Sequence, residues 1–132
     1  MALRKRRPGL VYPTHEDWHY VGAGGEPAFQ NSWVNVSGAY PAMAFRLREA
    51  GVVDLIGFID HVTDSTAIIT TLPVGYRPSD LTFMIARGVT AASVSTPVSL
   101  GIEADGDIGI YGGGAVRYLQ FSGSFFIDTA AP

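Results

Sequence analysis

Leu72-Pro73-Val74-Gly75-Tyr76-Arg77-Pro78 is the stretch of this sequence that decides how the chain folds. It separates two apolar runs of β-type residues, Ala67–Leu72 and Leu81–Arg87. Pro73 and Pro78 each lack a backbone N–H and have a fixed φ, so neither belongs inside a central strand. The stretch therefore predicts a stiff connection between two strands, and it contains no group that indicates catalysis.

The remaining residues of this connection indicate a structural role. Gly75 permits a turn that other residues resist, and Tyr76 combines a large apolar ring with a polar hydroxyl. We expect Tyr76 to be packed and Arg77 to be paired or stacked, so that the connection is held against the domain. The residues assigned to this structural motif are Leu72, Pro73, Gly75, Tyr76, Arg77 and Pro78.

Short apolar runs alternate with turn residues along the rest of the chain. The pattern is clearest where Met43, Phe45 and Leu47 share one face of an extended segment and Arg46 and Arg48 share the other. Strands are predicted at Trp18–Val21, Phe29–Val36, Ala42–Arg48, Val52–His61, Ala67–Leu72, Leu81–Arg87, Pro97–Ala104, Asp107–Tyr111 and Tyr118–Asp128. Eight to nine short antiparallel strands at a spacing of about 8–12 residues predict an all-β sandwich, jelly roll or barrel.

The segments between these strands carry turn signals of different kinds. Thr63–Thr66 is predicted to be a turn, and Gly88–Thr96, which has no large side chain, is predicted to be a loop or a loosely held edge. Asp105-Gly106 predicts a two-residue hairpin turn of type I′, because such turns need positive φ. Asp107 follows this turn, but the spacing and the closing glutamate of a calcium loop are absent.

The composition predicts one domain whose surface is partly covered. The chain has 132 residues, of which 47% are hydrophobic and 16% charged, against an average charged share of about 25%. A surface so poor in charge predicts that other copies of the chain cover part of it. Because cysteine is absent, neither disulfides nor a thiolate metal site is expected.

The charges are unevenly distributed. Four of the nine basic residues lie at positions 4–7, and the remaining five face twelve acidic residues, a net charge of −7. Nucleic acid is therefore an improbable partner for the body of the domain. We divide the chain into a basic arm (residues 1–17) that either is solvated or docks on an acidic partner, a head domain (18–128) and a tail (129–132). No apolar run predicts membrane insertion, and no apolar stretch follows the basic cluster to form a secretory signal.

His15-Glu16-Asp17-Trp18-His19 matches the zinc motif H-E-x-x-H. That motif works on a helix, whereas Pro13 and the glycines after Val21 leave little room for one. In an extended strand the two histidines stand about 13 Å apart, too far to share an ion. We therefore predict no catalytic residue, no metal site and no cofactor, and we do not expect an enzyme.

Several aromatic side chains lie near predicted turns. Such rings, backed by polar groups, suit the apolar faces of sugars or a protein surface, although core or interface packing is the commoner role of any one ring. Trp33 in particular is expected in the core. These residues are Trp18, Tyr20, Trp33, Tyr40, Tyr76, Tyr111 and Tyr118.

In their order, several segments resemble the C-terminal head domain of phage tail fibres and minor tail proteins from phages of Gram-positive bacteria. The L-P-x-G-Y-R-P element at Leu72–Pro78 carries most of this resemblance. The segments that flank it are Pro27–Trp33, Phe45–Leu47, Gly51–Gly57, Ile68–Leu72, Ile102–Ile108 and Leu119–Phe125. The resemblance covers roughly residues 27–127.

The resemblance implies a jelly-roll-like or Greek-key β-sandwich that assembles as a homotrimer in the virion and binds a host cell-surface saccharide or protein. The resemblance implies a ligand site in the distal loops or in the cleft between subunits, and the candidate residues are Trp18, Tyr40, Tyr111 and Arg117. Strands that are apolar on both faces supply the candidates for subunit contact, Ile56, Phe58, Phe121 and Phe125. The alternative is a structural virion component, either a capsid decoration or a fibre-base protein, that other virion proteins hold through residues 1–17.

Overall fold

Nine β-strands make up the regular structure of the residues that are described. The computed structural model describes residues 15–48 and 51–127. None of the described residues forms a helix that is long and apolar enough to cross a lipid bilayer. The strands are β1 (His19–Tyr20), β2 (Val34–Asn35), β3 (Ala44–Arg48), β4 (Val52–Ser65), β5 (Thr70–Thr71), β6 (Thr82–Val89), β7 (Ser95–Ile102), β8 (Asp107–Gly112) and β9 (Val116–Phe126).

All nine strands belong to one curled sheet, shaped like a half-barrel. Their order is β1-β3-β4-β9-β6-β7-β8-β5, with β2 added alongside β4. The strand pairs are antiparallel. The predicted all-β fold and its antiparallel strands are thereby confirmed, while the jelly-roll or Greek-key arrangement and the trimer stay predictions.

The longest strands, β4 and β9, form the middle of the sheet, and alternation of side chains along them separates the core from the surface. Leu119, Phe121 and Phe125 of β9 point inward and are buried, whereas Gln120 and Ser122 point outward and are exposed. This is the period-2 arrangement of a strand with one face on the core. The alternation predicted for β3 is also confirmed, because Met43 and Phe45 are buried and Arg48 is exposed.

Strand boundaries differ from the prediction where small residues lie in the sheet. The segment Gly88–Thr96 is not all loop, because β6 runs on to Val89 and β7 begins at Ser95. Gly88 is buried beneath Val116, where a Cβ atom would overlap the valine side chain. Absence of a side chain at this position is therefore a packing requirement and not a sign of a loop. Similarly, β4 includes most of the predicted turn at Thr63–Thr66, after a register shift between Asp60 and Ser65.

Three predicted strands, β1, β2 and β5, are only two residues long in the structure. The residues beside them form other backbone hydrogen bonds or turns. In the predicted strand Phe29–Val36, for example, Asn31 and Ser32 have positive φ values of 54° and 69°, and two such residues in a row do not fit the extended backbone of a regular strand. Gln30 N donates instead to the carbonyl of Ile69 at 2.7 Å. Trp33, expected in the core, is 1% exposed.

The hairpin at Asp105-Gly106 has a longer turn than predicted. Glu103 N donates to Asp107 O at 2.9 Å and Gly106 N donates to Glu103 O at 2.8 Å, so three residues lie between the paired strands. Only Gly106 of this loop has positive φ, at 94°. The prediction of a type I′ turn was wrong, because a three-residue loop needs one left-handed residue and glycine supplies it.

The connection Leu72–Pro78 joins the two ends of the curled sheet. Tyr76 N donates to Pro73 O at 3.1 Å, with Gly75 at φ 98° in the third position of the turn. Arg77 Nε donates to Leu72 O at 2.8 Å, and Leu72 N donates to Gly106 O at the β5 and β8 end of the sheet. The ring of Tyr76 packs edge-on against Phe45 of β3, with 5.1 Å between centroids. Contacts of this connection therefore close the curled sheet where its two ends meet, and we call this junction the seam.

The predicted arm and tail are only partly within the described residues. The basic cluster at positions 4–7 and the tail at 129–132 lie outside them. The last residues of the predicted arm lie along β3, where His15 forms a bridge with Arg48 and Glu16 N donates to Leu47 O at 3.3 Å.

Candidate functional site

An open cleft of about 380 Å³ lies on the outer face of the sheet, over strands β3, β4 and β9. Its polar wall is formed by Arg46, Arg48 and Asp54, and Trp18, just before β1, forms an aromatic side. The outward face carries these residues because the alternation that buries Phe45 directs its neighbours to the surface. The floor continues over Ile56 and the small residues Ser122, Gly123 and Ser124.

Trp18 is fixed in the cleft by a guanidinium group. The Cζ atom of Arg46 lies 4.2 Å from the centroid of the Trp18 ring, within the range of a cation–π interaction. Arg46 Nη1 also contacts the ring of His15, at 3.2 Å from Nδ1. One side of the indole is therefore held by Arg46, and the ring remains half-buried at the edge of the cleft.

Asp54 is the centre of the polar wall. Its Oδ2 atom accepts a hydrogen bond from Arg46 Nε at 3.0 Å, and its Oδ1 atom accepts from Arg48 Nε at 2.8 Å and from the Ser124 hydroxyl at 2.7 Å. Burial alone would raise the pKa of Asp54, but the hydrogen bonds from Ser124, Arg46 and Arg48 outweigh it and lower the pKa. The carboxylate is therefore ionised at neutral pH and is fully used in orienting its neighbours.

This arrangement is suited to recognising oxygen atoms of a ligand. Each arginine uses its Nε atom on Asp54. Arg46 Nη1 also contacts His15, and Arg48 Nη2 donates to the Ser124 hydroxyl at 3.2 Å. Because a guanidinium has five N–H donors, both arginines keep further donors, and both line the cleft. An aromatic face beside fixed polar groups is the combination that binds a sugar ring. Asp54 is poorly suited to donate a proton, because two arginines hold it in the ionised form.

A second polar cluster lies at the seam and includes Glu16 and His19 of the H-E-x-x-H motif. His19 Nδ1 lies 2.8 Å from Glu26 Oε2, and His19 Nε2 lies 2.8 Å from Glu16 Oε2. The Tyr76 hydroxyl donates to Glu16 at 2.7 Å. Both ring nitrogens of His19 contact carboxylates, whereas His15 contacts Arg46. The two histidines of the motif therefore contact different groups.

The charges of this cluster depend on one another. Hydrogen bonding to Glu26, and secondarily to Glu16, raises the pKa of His19 above its ordinary value despite burial. Burial would raise the pKa of Glu16, but the hydrogen bonds from Tyr76, Leu47 and His19 outweigh it and lower the pKa. Burial and the bond to Glu16 raise the pKa of Tyr76 to about 12. The two carboxylates therefore favour the protonated form of His19.

Three carboxylates gather at the turn between β7 and β8. Ligand atoms of Glu103, Asp105 and Asp107 lie within 4.8 Å of one another. The turn itself uses these groups, since Asp105 Oδ1 accepts from Asp107 N at 3.0 Å and Asp107 Oδ1 accepts from the Thr71 hydroxyl. The hydroxyl of Tyr111 donates to Glu103. Local hydrogen bonding accounts for this group, and the absence of a metal site remains a prediction.

The four predicted ligand residues do not come together in one site. Trp18 lines the cleft. Tyr40, which is 55% exposed, instead packs against Phe58, with 4.9 Å between ring centroids. Arg117 pairs with Asp60 through Nε at 2.9 Å. Its guanidinium also lies over the ring of Tyr118, 4.6 Å from the centroid.

Tyr111, the fourth predicted ligand residue, lies flat on the sheet. Its ring covers Gly101, where a Cβ atom would overlap it, and it stands 6.0 Å from the ring of Phe83. An aromatic side chain over a strand glycine replaces the missing packing of that residue.

The predicted subunit contacts divide between the interior and the surface. Phe121 and Phe125 are each 4% exposed and belong to the core of the protomer itself, so their side chains are not available to a second copy. Ile56 lines the cleft. Phe58 lies on the outer face, between Tyr40 and Tyr118.

Sequence reasoning missed the residues that organise the cleft. Arg46 and Arg48 were recognised only as the polar face of β3, and the signal for Asp54 was available in the hairpin that follows. Counting outward from the turn between β3 and β4 pairs Arg46 with Asp54. Ser124 gave no such signal, because its place depends on the long-range pairing of β9 with β4.

A comparison of the chain with protein-family models and with curated proteins found no match.

Proposed function

We propose that this chain is the receptor-binding head of a phage tail fibre or tail tip, located in the virion, and that it attaches to a saccharide on the host cell surface. The cleft at Trp18 is the binding site. The observation that carries the proposal is the indole ring fixed by Arg46 beside the network of Asp54, Arg48 and Ser124.

The order of motifs around Leu72–Pro78 supports a jelly-roll-like or Greek-key fold that assembles as a homotrimer. The low charge of the chain and the exposed apolar side chains of its outer face also support this assembly. Large apolar side chains remain exposed on the outer face of a chain that is poor in charge. Exposed apolar groups of this size are typical of surfaces that associate. They include Tyr40, Phe83, Tyr111 and Phe126.

Saccharide binding is tested by replacing Trp18 with alanine. Wild-type protein is applied to an array of bacterial cell-wall saccharides and to purified walls of Gram-positive bacteria, and binding should be detected. Trp18→Ala should weaken it at least about tenfold, since a stacked aromatic contributes about 1–3 kcal/mol. The matched control is Val74→Ala, which truncates an exposed side chain outside the cleft. Equal binding by wild type and Trp18→Ala would refute the proposed site, and a trimer that binds no wall material would refute the function.

A structural virion component is the second candidate. Its support is the cluster of four basic residues at positions 4–7 beside a body with a net charge of −7, an asymmetry typical of a segment that docks on an acidic partner. Deletion of residues 1–7 should then prevent incorporation into particles and leave the assembly folded. Unchanged incorporation would exclude this role for the arm.

A further inference from the structure

The cleft at Trp18 continues into a second cleft across the sheet. This second cleft, of about 320 Å³, is lined by Pro41, Ile85, Arg87 and Gln120. The two clefts share Ile56 of β4 and Ser122 of β9 in their linings. They are therefore adjoining parts of one groove that crosses β3, β4, β9 and β6.

The second cleft exists because β6 and β9 separate. They pair only from Arg87 to Val89, and the earlier residues of β6 pair with β7 alone. On the inner side Met84 fills the gap, with its sulfur 3.3 Å from where a Cβ atom of Gly123 would stand. On the outer side no comparable side chain from residues 15–48 or 51–127 fills the gap, and Ile85 is 71% exposed.

The groove is longer than one sugar ring. Four neighbouring strands span about 14 Å at a spacing of ~4.8 Å. A monosaccharide at Trp18 would leave Ile85 and Arg87 without contact. An oligosaccharide laid across the strands would reach both clefts.

The groove is also positive in an otherwise acidic body. Outside positions 4–7 the chain has five basic residues, all arginines. Two of them lie outside the groove, Arg77 on the carbonyl of Leu72 and Arg117 on Asp60. The other three, Arg46, Arg48 and Arg87, line the groove. Asp54, which pairs with both Arg46 and Arg48, is the only acidic residue in the two linings. Among the described residues no carboxylate forms an ion pair with Arg87.

From this groove we infer that the ligand is an anionic oligosaccharide, with one end at Trp18 and a negatively charged group at Arg87. The inference rests on the proposed saccharide-binding function and adds a second subsite and the charge of the ligand to it. The negative group is a carboxylate or a phosphodiester, and an exposed guanidinium binds either.

The test compares saccharides of different length and charge. Wild type, Arg87→Gln and Trp18→Ala are titrated with hexasaccharides that carry uronate groups, hexasaccharides that carry phosphodiester groups, neutral hexasaccharides, and the monosaccharide units of each. A double variant, Arg87→Gln with the exposed Asp80→Asn, restores the net charge away from the groove. Thermal unfolding of each variant checks that it is folded.

The acidic hexasaccharides should bind more tightly than the neutral ones, and the uronate and phosphodiester arms show which anion is preferred. Arg87→Gln should weaken hexasaccharide binding about tenfold, as expected for a lost charged hydrogen bond, with no change for monosaccharides. The double variant should bind as weakly as Arg87→Gln.

Three outcomes would overturn the inference. If Trp18→Ala weakens binding but Arg87→Gln does not, or if neutral hexasaccharides bind as well, the second subsite is refuted and the proposed function stands. If the wild type binds no saccharide, both fail together. If oligodeoxythymidylate binds as tightly as the acidic hexasaccharides, the groove recognises charge alone and the assignment to saccharide is refuted.

Discussion

The hydroxyl of Tyr76 lies 2.7 Å from a carboxylate oxygen of Glu16, although 60 positions separate the two residues in the chain. This contact connects the loop after β5 with the segment before β1. Those elements lie at opposite ends of the strand order. The curled sheet is consequently closed by a side-chain hydrogen bond, next to the aromatic contact of Tyr76 with Phe45.

Removing this hydroxyl should destabilise the protein measurably. Tyr76→Phe keeps the ring against Phe45 and removes one of the donors to the Glu16 carboxylate, so we expect the free energy of unfolding to fall by about 1–3 kcal/mol. Urea denaturation measures the loss. Tyr40→Phe, at an exposed tyrosine, should change the stability by less than about 0.5 kcal/mol. Equal effects of the two substitutions would show that the seam contributes nothing.

Stability should be greatest in mildly acidic solution. The pKa of His19 is raised in the folded state, so its contribution is complete below the ordinary value of 6.5 and is lost as the pH rises through the folded-state value. The pKa of Glu16 is lowered from 4.5, so its contribution is complete above 4.5 and is lost as the pH falls through the folded-state value. Asp54, whose pKa is also lowered, reinforces the loss at acidic pH.

Substitution of a histidine separates the loss of stability at alkaline pH, the alkaline limb of the profile, from the loss at acidic pH. His19→Gln should flatten the fall of stability above pH 6.5, and His15→Gln, at an exposed histidine, should leave the fall intact. Thermal unfolding between mildly acidic and mildly alkaline pH records both profiles. An unchanged alkaline limb in His19→Gln would contradict the assignment.

Asp54→Asn should affect both stability and binding. The substitution keeps the shape of the side chain but removes the charge that Arg46 and Arg48 share. We expect a loss of about 2 kcal/mol in the free energy of unfolding, because the partly buried Arg46 and the exposed Arg48 lose their common partner. Saccharide binding should weaken as well, since the arginines are no longer oriented. Asp80→Asn, at an exposed site, is the control, and a comparable loss there would show a general charge effect.

Gly101→Ala tests the aromatic cover on the sheet. A Cβ atom at this position would overlap the ring of Tyr111, so a loss of about 1–3 kcal/mol in the free energy of unfolding is expected from overpacking. Combining it with Tyr111→Ala should remove most of this penalty, because the two residues are in direct contact. Gly24→Ala is the matched control, since no atom lies within 4 Å of a Cβ there. Additive effects in the double variant would contradict the proposed contact.

Light scattering tests the predicted trimer. The isolated chain should give a mass about three times 14.1 kDa. Phe58→Glu should reduce this mass to that of one chain, because a charge on an apolar contact surface is costly. Circular dichroism distinguishes dissociation from unfolding. A monomeric wild type would refute the trimer, and a trimeric Phe58→Glu would place the contact elsewhere.

Local patterns predicted much of the sheet. Alternation placed Phe45 inside and Arg46 outside, and the proline pair marked the connection at Leu72–Pro78. Long-range relationships were not accessible in the same way. The contact between Tyr76 and Glu16 and the pairing of Ser124 with Asp54 depend on the curl of the sheet and on the strand order, which no local period encodes. Phe121 and Phe125 were misjudged because a run that looks apolar on both faces gives no sign of which face is inside.

Most residues that line the groove lie on four neighbouring strands, and only Trp18 and Pro41 lie outside those strands. Loops tolerate insertions far better than paired strands do, so the turns at Gly22–Gly25 or Thr90–Val94 could change in length without altering the strand positions of the groove. If the chain is the proposed receptor-binding head, a change of host specificity would come from single substitutions at outward positions of the strands, such as Ile56 or Arg87. On that proposal, heads with divergent loops should share a receptor whenever these outward residues and Trp18 agree.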